Sequence, residues 1–334
     1  MIIKKMFKFL ISLFFSLTLI LTSSSAQTDD FSAWLKNFKI VAKKEGISDS
    51  TIRELLSNVV YLDKVIVYDN RQPEFFEKTN VYISKRSTLR SLRNAKLKLK
   101  ENYEILEKVE KEFRVEKEIL LALWSIETNF GRNLGKMDLV SSLATLSFDK
   151  RRSEFFTNQL LILLKLVDRN ILSKDMLFGS WAGALGNFQF MPSTIINYGI
   201  DYDNDNKIDL KGSKYDAIAS AANYINKIGW KYNTSCFKEV KFNKKINKTF
   251  FNHSARNIKN KKSIDFWKSK GVEIIGKKNS PNKKEIAALV LPDGDESSPK
   301  YLVFDNYEKI LKWNRSLRFA LTVCTLAEKI RNDI

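Results

Sequence analysis

One acidic residue lies in an otherwise apolar stretch of the chain. Glu127 is the only charged residue between Glu118 and Arg132, and on a helix it would share a face with Leu120 and Leu123. Because apolar surroundings disfavour the ionised carboxylate, we expect the pKa of Glu127 to be raised. A carboxyl that stays protonated near neutral pH can act as a general acid towards a glycosidic oxygen. The alternative is a glutamate at a helix end that reaches solvent or a cationic partner.

A second segment, residues 179–193, combines glycines with aromatic and amide side chains. It reads Gly179-Ser-Trp-Ala-Gly-Ala-Leu-Gly-Asn-Phe-Gln-Phe-Met-Pro-Ser193. Glycine allows backbone to approach a ligand closely, and the rings of Trp181, Phe188 and Phe190 are flat faces of the kind that stack on sugars. Gln189 can both donate and accept hydrogen bonds, which suits an N-acetyl group. The segment therefore predicts a sugar site, with a tight structural turn between helices as the alternative.

A third constellation is acidic and has the spacing of a calcium loop. Positions 1, 3, 5, 7 and 9 of an EF-hand loop would be filled by Asp201, Asp203, Asp205, the carbonyl of Lys207, and Asp209. Asn206 stands where EF-hands have glycine, and Gly212 stands where they have the closing glutamate. The sequence predicts a structural calcium site or, alternatively, an acidic turn of the same shape without metal.

The rare residues limit the chemistry further. The chain has one histidine, His253, and two cysteines, Cys236 and Cys324. These exclude zinc sites built from several histidines or cysteines, and any Ser-His-Asp triad would have to use His253, which has no nucleophile motif around it. An oxidising compartment would allow the cysteines to pair, but the apolar helical pattern around Cys324 favours a buried thiol.

These residues require a largely helical scaffold. The pattern is helical from about residue 31 to 174, loop-like from 178 to 210, and helical again from Tyr215 to Ile228, with Gly229 as a C-cap. Strand-like runs follow at Phe237–Phe242, Ile286–Leu291 and Tyr301–Phe304, and a final helix covers Ala320–Ile330. We therefore predict a predominantly α-helical α+β fold with a small β-rich insertion at 231–305.

The first 26 residues resemble a secretory signal peptide. Three lysines lead into the apolar run 9–21, and small residues at Ser24 and Ala26 fit a cleavage site. An uncleaved anchor is the alternative, although the run is shorter than the roughly 20 residues that span a bilayer. No cysteine lies nearby to carry a lipid. The formal charge is +19, and removal of these three lysines leaves +16. Such a charge suggests a polyanionic partner, which would be nucleic acid, anionic lipid or an acidic polymer of the cell envelope, and export argues against nucleic acid. The alternative is a lysine-rich surface that only reflects codon bias.

Several motifs in one order give the chain a specific resemblance. They are Gln72-Pro73-Glu74, Glu127-Thr-Asn-Phe-Gly131, Leu143–Phe148 with Arg151-Arg152 and Phe155-Phe156, the 179–193 run, Ala222-Asn-Tyr224 and Gly229-Trp230. Together they resemble the membrane-bound lytic murein transglycosylase B family, over about residues 31–330. The resemblance implies a lysozyme-like helical core with an additional N-terminal helical region. It divides the chain into a signal (1–26), a helical region with the catalytic core (27–230), the insertion (231–305) and a returning C-terminal helix (306–334).

The resemblance also implies a reaction and its residues. The family cleaves the β-1,4 bond between N-acetylmuramic acid and N-acetylglucosamine in peptidoglycan and leaves 1,6-anhydromuramyl ends, with one glutamate that Glu127 matches. By position, the sugar and peptide contacts would come from Arg151, Arg152, Ser180, Gln189, Tyr224 and Asn314. Tyr224 would also help to hold Glu127. Trp313 and Phe319 stand where the family usually has tyrosines, so we expect the C-terminal wall to lose its polar role and keep its stacking.

The remaining expectations concern cofactors, partners and location. No cofactor is expected for the chemistry, and some relatives bind a structural calcium in the acidic loop, which Asp216 would close. The partner would be peptidoglycan glycan strands, without nucleic acid and without a membrane span after signal cleavage. The protein would act in the periplasm as a monomer. A hydrolytic muramidase and a non-catalytic peptidoglycan-binding protein are the alternatives.

Overall fold

The computed structural model describes residues 29–71, 76–276 and 281–333, so the predicted signal peptide and the Gln72-Pro73-Glu74 motif lie outside the described residues. Its α-helices are α1 (29–44), α2 (Asp49–Leu56), α3 (Asp63–Asp69), α4 (Thr79–Arg86), α5 (Leu89–Glu101), α6 (Tyr103–Phe113), α7 (Lys117–Thr128), α8 (Leu139–Phe148), α9 (Ser153–Asp168), α10 (Pro192–Tyr198), α11 (Lys214–Lys227), α12 (Ile264–Ser269), α13 (Asp305–Trp313) and α14 (Leu317–Asp333). Its strands are β1 (Met137–Asp138), β2 (Phe178–Gly179), β3 (Phe237–Phe242), β4 (Lys262–Ser263), β5 (Val272–Ile274), β6 (Ile286–Val290) and β7 (Lys300–Val303).

The chain forms two units that are each built from separate stretches of sequence. The first contains the described residues up to Asn70 together with Lys136–Ala184 and Met191–Ser193. The second contains the described residues of Arg71–Gly135, Leu185–Phe190 and the chain from Thr194 onward. This division follows spatial contacts, and the four-segment division of the chain stays a prediction.

The first unit is centred on helix α8. Every residue from Leu139 to Ser147 is buried, and α8 packs against α9 and α3. Asp138 begins the helix because its carboxylate accepts the backbone N–H of Ser141 at 2.7 Å. At the far end of α9, Asp168 accepts a hydrogen bond of 2.6 Å from Thr51 in α2. The carboxylate of Asp168 thereby fixes α2 against α9. The hydrogen bonds from the hydroxyls of Ser48 and then Thr51 hold the pKa of Asp168 below the ordinary value.

The helical part of the second unit is organised around α7, which packs against α14, α5 and α6. Its run Ile119–Trp124 is buried on all sides, because α7 has no charged residue between Glu118 and Glu127 to hold one face at the surface. Glu116 precedes the helix and is itself 3% exposed. Its carboxylate accepts the indole N–H of Trp230 at 2.6 Å, which satisfies the buried charge.

The same unit carries a five-stranded antiparallel sheet. Its strand order is β4-β6-β7-β3-β5. Val240 lies opposite Lys300 in β7 and Ile274 in β5, so β3 is paired on both sides. One face covers a core of its own, formed by Val240, Ile246, Ile264, Trp267, Val272, Ala287, Leu289, Leu291, Leu302 and Phe304.

The structure confirms the predicted fold class and the three predicted strands, each within one residue of the predicted bounds. The predicted last helix is longer, since α14 already begins at Leu317. The preference for free cysteines was wrong: Cys236 and Cys324 form a disulfide with their Cα atoms 6.1 Å apart. Cys236 directly precedes β3, so the end of the sheet is joined covalently to α14. Among the described residues, no helix combines the length and apolar character needed to cross a bilayer.

Candidate functional site

Glu127 lies in the last turn of α7, one residue before the helix ends. The end is a sharp left-handed turn: Asn129, Phe130 and Gly131 have φ values of 49°, 60° and 81°. The backbone N–H of Phe130 donates to the carbonyl of Trp124 at 3.2 Å, which closes the turn. Left-handed backbone explains the asparagine and the glycine of this sequence. The Glu127 side chain is half-buried at the helix terminus.

The left-handed turn is held in place by Asn187, which is fully buried. Its side-chain oxygen accepts the indole N–H of Trp124 at 2.9 Å, and its backbone carbonyl accepts the hydroxyl of Thr128 at 2.7 Å. A Cβ at Gly131 would lie 2.6 Å from that side-chain oxygen, so only glycine fits there. Asn187 therefore joins the 185–190 loop to the helix end that carries Glu127.

The sequence analysis missed this function of Asn187. Its side-chain nitrogen donates to the carbonyls of Leu210 and Lys211, both at 3.0 Å, so every polar atom of the side chain is used. The sequence feature that could have indicated this role is an asparagine in an apolar segment, because a buried amide must be fully hydrogen-bonded.

The direct support of the Glu127 carboxylate comes from α13. The indole N–H of Trp313 donates to Oε1 of Glu127 at 2.9 Å. The Trp313 ring stacks on Tyr224 with centroids 5.0 Å apart, and Tyr224 stacks on Tyr198 at 4.5 Å. Phe190 meets the Trp313 ring edge-on at 5.3 Å. These four rings form a wall, in which Tyr224 and Phe190 contact the indole that holds the carboxylate.

This wall differs from the expectations in two ways. Trp313 keeps a polar role that the absence of a tyrosine hydroxyl was expected to remove. Its indole N–H donates a hydrogen bond in place of that hydroxyl. Phe188 and Phe190 are only 3% and 2% exposed, so they are not available as sugar-stacking faces. Phe319, at 3% exposed, is likewise part of the core of α14.

Tyr224 supports Trp313 by stacking and α13 by a hydrogen bond. Its hydroxyl donates to the carbonyl of Lys312 at 3.0 Å. Burial, followed by the proximity of Tyr198, raises the pKa of Tyr224 to about 12, so the hydroxyl stays a donor at neutral pH. Asn314 follows Trp313 directly and ends α13, and its half-buried side chain is next to the wall in sequence.

Gln189 adopts a left-handed conformation, with φ of 52°. Its side-chain nitrogen donates to the carbonyls of Gly186 at 3.0 Å and Leu134 at 3.3 Å. The amide nitrogen therefore secures the loop, and the contact of Gln189 with sugar stays a prediction.

The other predicted contacts belong to the first unit. The Ser180 hydroxyl accepts the backbone N–H of Ala184 at 3.0 Å and closes a turn. The guanidinium groups of Arg151 and Arg152 both bind the carboxylate of Asp69, which is 4% exposed. Their shown role is to neutralise a buried charge in α3, and about half of each arginine side chain remains exposed. A substrate role for these three residues stays a prediction.

The acidic loop brings three of its carboxylates together. Asp201, Asp203 and Asp205 place oxygen atoms within 4.8 Å of one another. Asn206 has φ of 69° and so adopts the left-handed conformation that EF-hands assign to glycine. Asp216 is fully buried at the base of the loop, and its two oxygens accept the backbone N–H groups of Tyr202 and Asp209, both at 2.8 Å. Burial raises the pKa of Asp216 above its ordinary value.

Comparison with known proteins now decides the family. Residues 30–328 match the family described as the transglycosylase SLT domain. The chain belongs to this family. In sequence, it is 32% identical over 200 residues to the membrane-bound lytic murein transglycosylase B of Escherichia coli (strain K12), over 57% of this chain and 55% of that protein. The match thus spans about half the length of this curated relative.

Two solved structures are similar to this chain over most of its length. SltB3 of Pseudomonas aeruginosa, solved in complex with NAG-NAM-pentapeptide, aligns with a TM-score of 0.82 and 32% identity over 90% of this chain and 79% of that one. Slt35 of Escherichia coli, solved in complex with calcium, aligns with a TM-score of 0.75 and 27% identity over 90% of this chain and 93% of that one. These matches confirm the family resemblance and the lysozyme-like fold class.

Proposed function

We propose that this protein is a lytic transglycosylase that cleaves the β-1,4 bond between N-acetylmuramic acid and N-acetylglucosamine in peptidoglycan and forms 1,6-anhydromuramyl ends. The observation that carries the proposal is the Glu127 carboxyl at the end of α7, held by the indole N–H of Trp313. Membership of the transglycosylase SLT domain family supports it. So does the pentapeptide-bearing glycan fragment in the complex of SltB3.

In this mechanism Glu127 acts twice. As an acid it donates its proton to the glycosidic oxygen while the bond from that oxygen to C1 of the muramyl sugar breaks. As a base it then accepts the proton of the muramyl C6 hydroxyl, whose oxygen attacks C1 and closes the anhydro ring. No water is consumed, and Glu127 ends protonated as it began. The acetamido group and the C6 hydroxyl of the substrate take the place of the second carboxylate that a hydrolase uses.

The surrounding residues would orient the sugar strand. The proposed contacts are Gln189, Tyr224 and Asn314, which belong to the second unit, and Ser180, Arg151 and Arg152, which belong to the first. The arginines would meet acidic or peptide parts of the strand with the half of each side chain that Asp69 leaves exposed. The proposed location is the periplasm, after cleavage of the signal at residues 1–26, and the proposed state is a monomer.

We also propose a structural calcium ion in the acidic loop. Asp201, Asp203, Asp205 and the carbonyl of Lys207 would bind it as oxygen ligands, which calcium prefers. Asp216 would close the site as predicted or, through its two backbone hydrogen bonds, hold the loop ends in place. The ion would stabilise the loop and take no part in the reaction. The calcium complex of Slt35 supports this proposal.

Mass spectrometry of digested sacculi tests the reaction. The wild-type protein is expected to release muropeptides with anhydro ends, one water lighter than hydrolytic products, and Glu127→Gln is expected to release none. The variant keeps the shape and the Trp313 hydrogen bond but cannot transfer a proton, so its melting temperature serves as the folding control. Products with a reducing muramyl end would instead identify a hydrolytic muramidase, and binding without release would identify a non-catalytic protein.

A further inference from the structure

One segment of the second unit carries much of the positive charge of the protein. Residues 241–270, which we call the basic segment, contain one acidic residue, Asp265, and ten basic ones: Lys241, Lys244, Lys245, Lys248, Arg256, Lys259, Lys261, Lys262, Lys268 and Lys270. Its formal charge of +9 is nearly half of the +19 of the whole chain, in 30 of 334 residues. All ten basic side chains are exposed.

Most of these charges form no salt bridge among the described residues. Lys241 pairs with Glu273 at 3.2 Å and Lys261 pairs with Glu308 at 2.6 Å. Within the described parts of the chain, no salt bridge involves the other eight basic residues. Since like charges at this density repel one another, the segment is most stable beside a partner that supplies negative charge.

Aromatic rings give this charge a fixed arrangement. The ammonium groups of Lys262 and Lys270 lie 5.8 and 5.5 Å from the centroid of the Phe266 ring. Phe250 packs edge-on against Phe266 at 5.6 Å, and the next residue, Phe251, stacks on Phe242 at 5.9 Å. These rings are half-buried against the sheet core, so they form a rigid base for the lysines.

We propose that the basic segment binds the carboxylate-rich strands of peptidoglycan as a second attachment surface, separate in its residues from the Glu127 site. The proposal rests on the proposed function, which makes this acidic polymer the substrate. Half-buried rings between ammonium groups suit a hydrated polymer with sugar faces and carboxylates. A bilayer fits less well, because none of the exposed large apolar side chains lies in residues 241–270, all of which are described.

The test measures co-sedimentation of the purified protein with intact sacculi, in a Glu127→Gln background so that nothing is digested. The patch variant carries Lys244, Lys245, Lys262 and Lys270 changed to Gln. The matched control carries the same change at four exposed lysines elsewhere: Lys36, Lys44, Lys64 and Lys100. Both variants lose four charges, so only their position differs.

The patch variant is expected to bind sacculi roughly tenfold more weakly, from four surface pairs of modest energy each, while the control stays within about twofold. Added salt should release the parent protein, since exposed charges are screened. Sacculi with amidated carboxyl groups should bind the parent and patch proteins equally.

Equal weakening of patch and control, unchanged binding, or selective binding to anionic phospholipid vesicles in place of sacculi would overturn the inference. If the wild-type protein, with Glu127 in place, released no muropeptides, only the proposed function would be overturned, because the binding assay needs no catalysis.

Discussion

The indole of Trp313 has one polar atom, an N–H that donates and cannot accept a hydrogen bond. A donor beside a carboxyl group stabilises its ionised form. Trp313 therefore holds the Oε1 atom of Glu127 in one direction. An indole, unlike a tyrosine hydroxyl, cannot reverse this hydrogen bond. In the proposed reaction Trp313 is thus a positioning residue.

Trp313→Phe should lower kcat about tenfold or more, because a hydrogen bond to a charged group contributes roughly 1.5–3 kcal/mol. The change removes the donor and leaves a smaller aromatic ring in the place of the indole that stacks on Tyr224. Because the carboxyl is then less well oriented, kcat should fall more than KM changes. The measurement is kcat and KM on a soluble glycan.

Trp313→Tyr is the conservative companion, since its hydroxyl restores a donor and should recover part of the lost rate. Melting temperatures show whether the wall still folds. A Phe variant with wild-type kcat would contradict the assigned role of the indole.

At the scale of elements, the sequence was informative where its pattern was local. The apolar run of α7, the alternation in β3 and the Gly229 stop of α11 each follow from neighbours in sequence. The strands β4 and β5, of two and three residues, are too short to show alternation. The contact of Trp313 with Glu127 joins residues 186 positions apart, so only the packing of α13 brings it about. The position of Glu127 at the end of an apolar helix was therefore predictable, while the residue that holds its carboxyl was not.

The acidic loop provides a prediction at this scale. Three carboxylates within 4.8 Å repel one another, and a divalent cation would remove that repulsion. We expect EDTA to lower the thermal unfolding midpoint and added calcium to restore it. Asp203→Asn should weaken the response, while Asp265→Asn, outside the loop, should leave it intact. Identical midpoints with EDTA and with calcium would identify the loop as an acidic turn that needs no metal.

At the scale of the whole molecule, distant stretches of the second unit are joined by a few buried polar contacts. Asp293 is one of them. Its carboxylate accepts the hydroxyl of Thr79 at 2.6 Å and pairs with Arg318 at 2.8 Å, and its side chain is only 2% exposed. It thus ties the loop before β7 to the starts of α4 and α14. The disulfide between Cys236 and Cys324 makes a second, covalent link between the sheet and α14.

The Asp293 contacts predict how stability depends on pH. Burial alone would raise the pKa of Asp293, but the hydrogen bonds from Thr79 and the pairing with Arg318 outweigh it and hold the pKa below the ordinary value. The unfolded chain therefore takes up the proton at a higher pH than the folded protein does. The stabilisation is complete above the pKa of Asp293 in the unfolded chain and is lost as the pH falls through its pKa in the folded protein. Asp293→Asn should reduce the free energy of unfolding in urea by about 3 kcal/mol at neutral pH, because it removes the buried negative charge that pairs with the part-buried Arg318. The difference from wild type should narrow as the pH falls below the ordinary range of aspartate and the wild-type carboxyl is protonated. Glu273→Gln removes an exposed partner of Lys241 and should change stability little at either pH. A difference between wild type and Asp293→Asn that stays constant with pH would show that the ionised carboxylate contributes nothing.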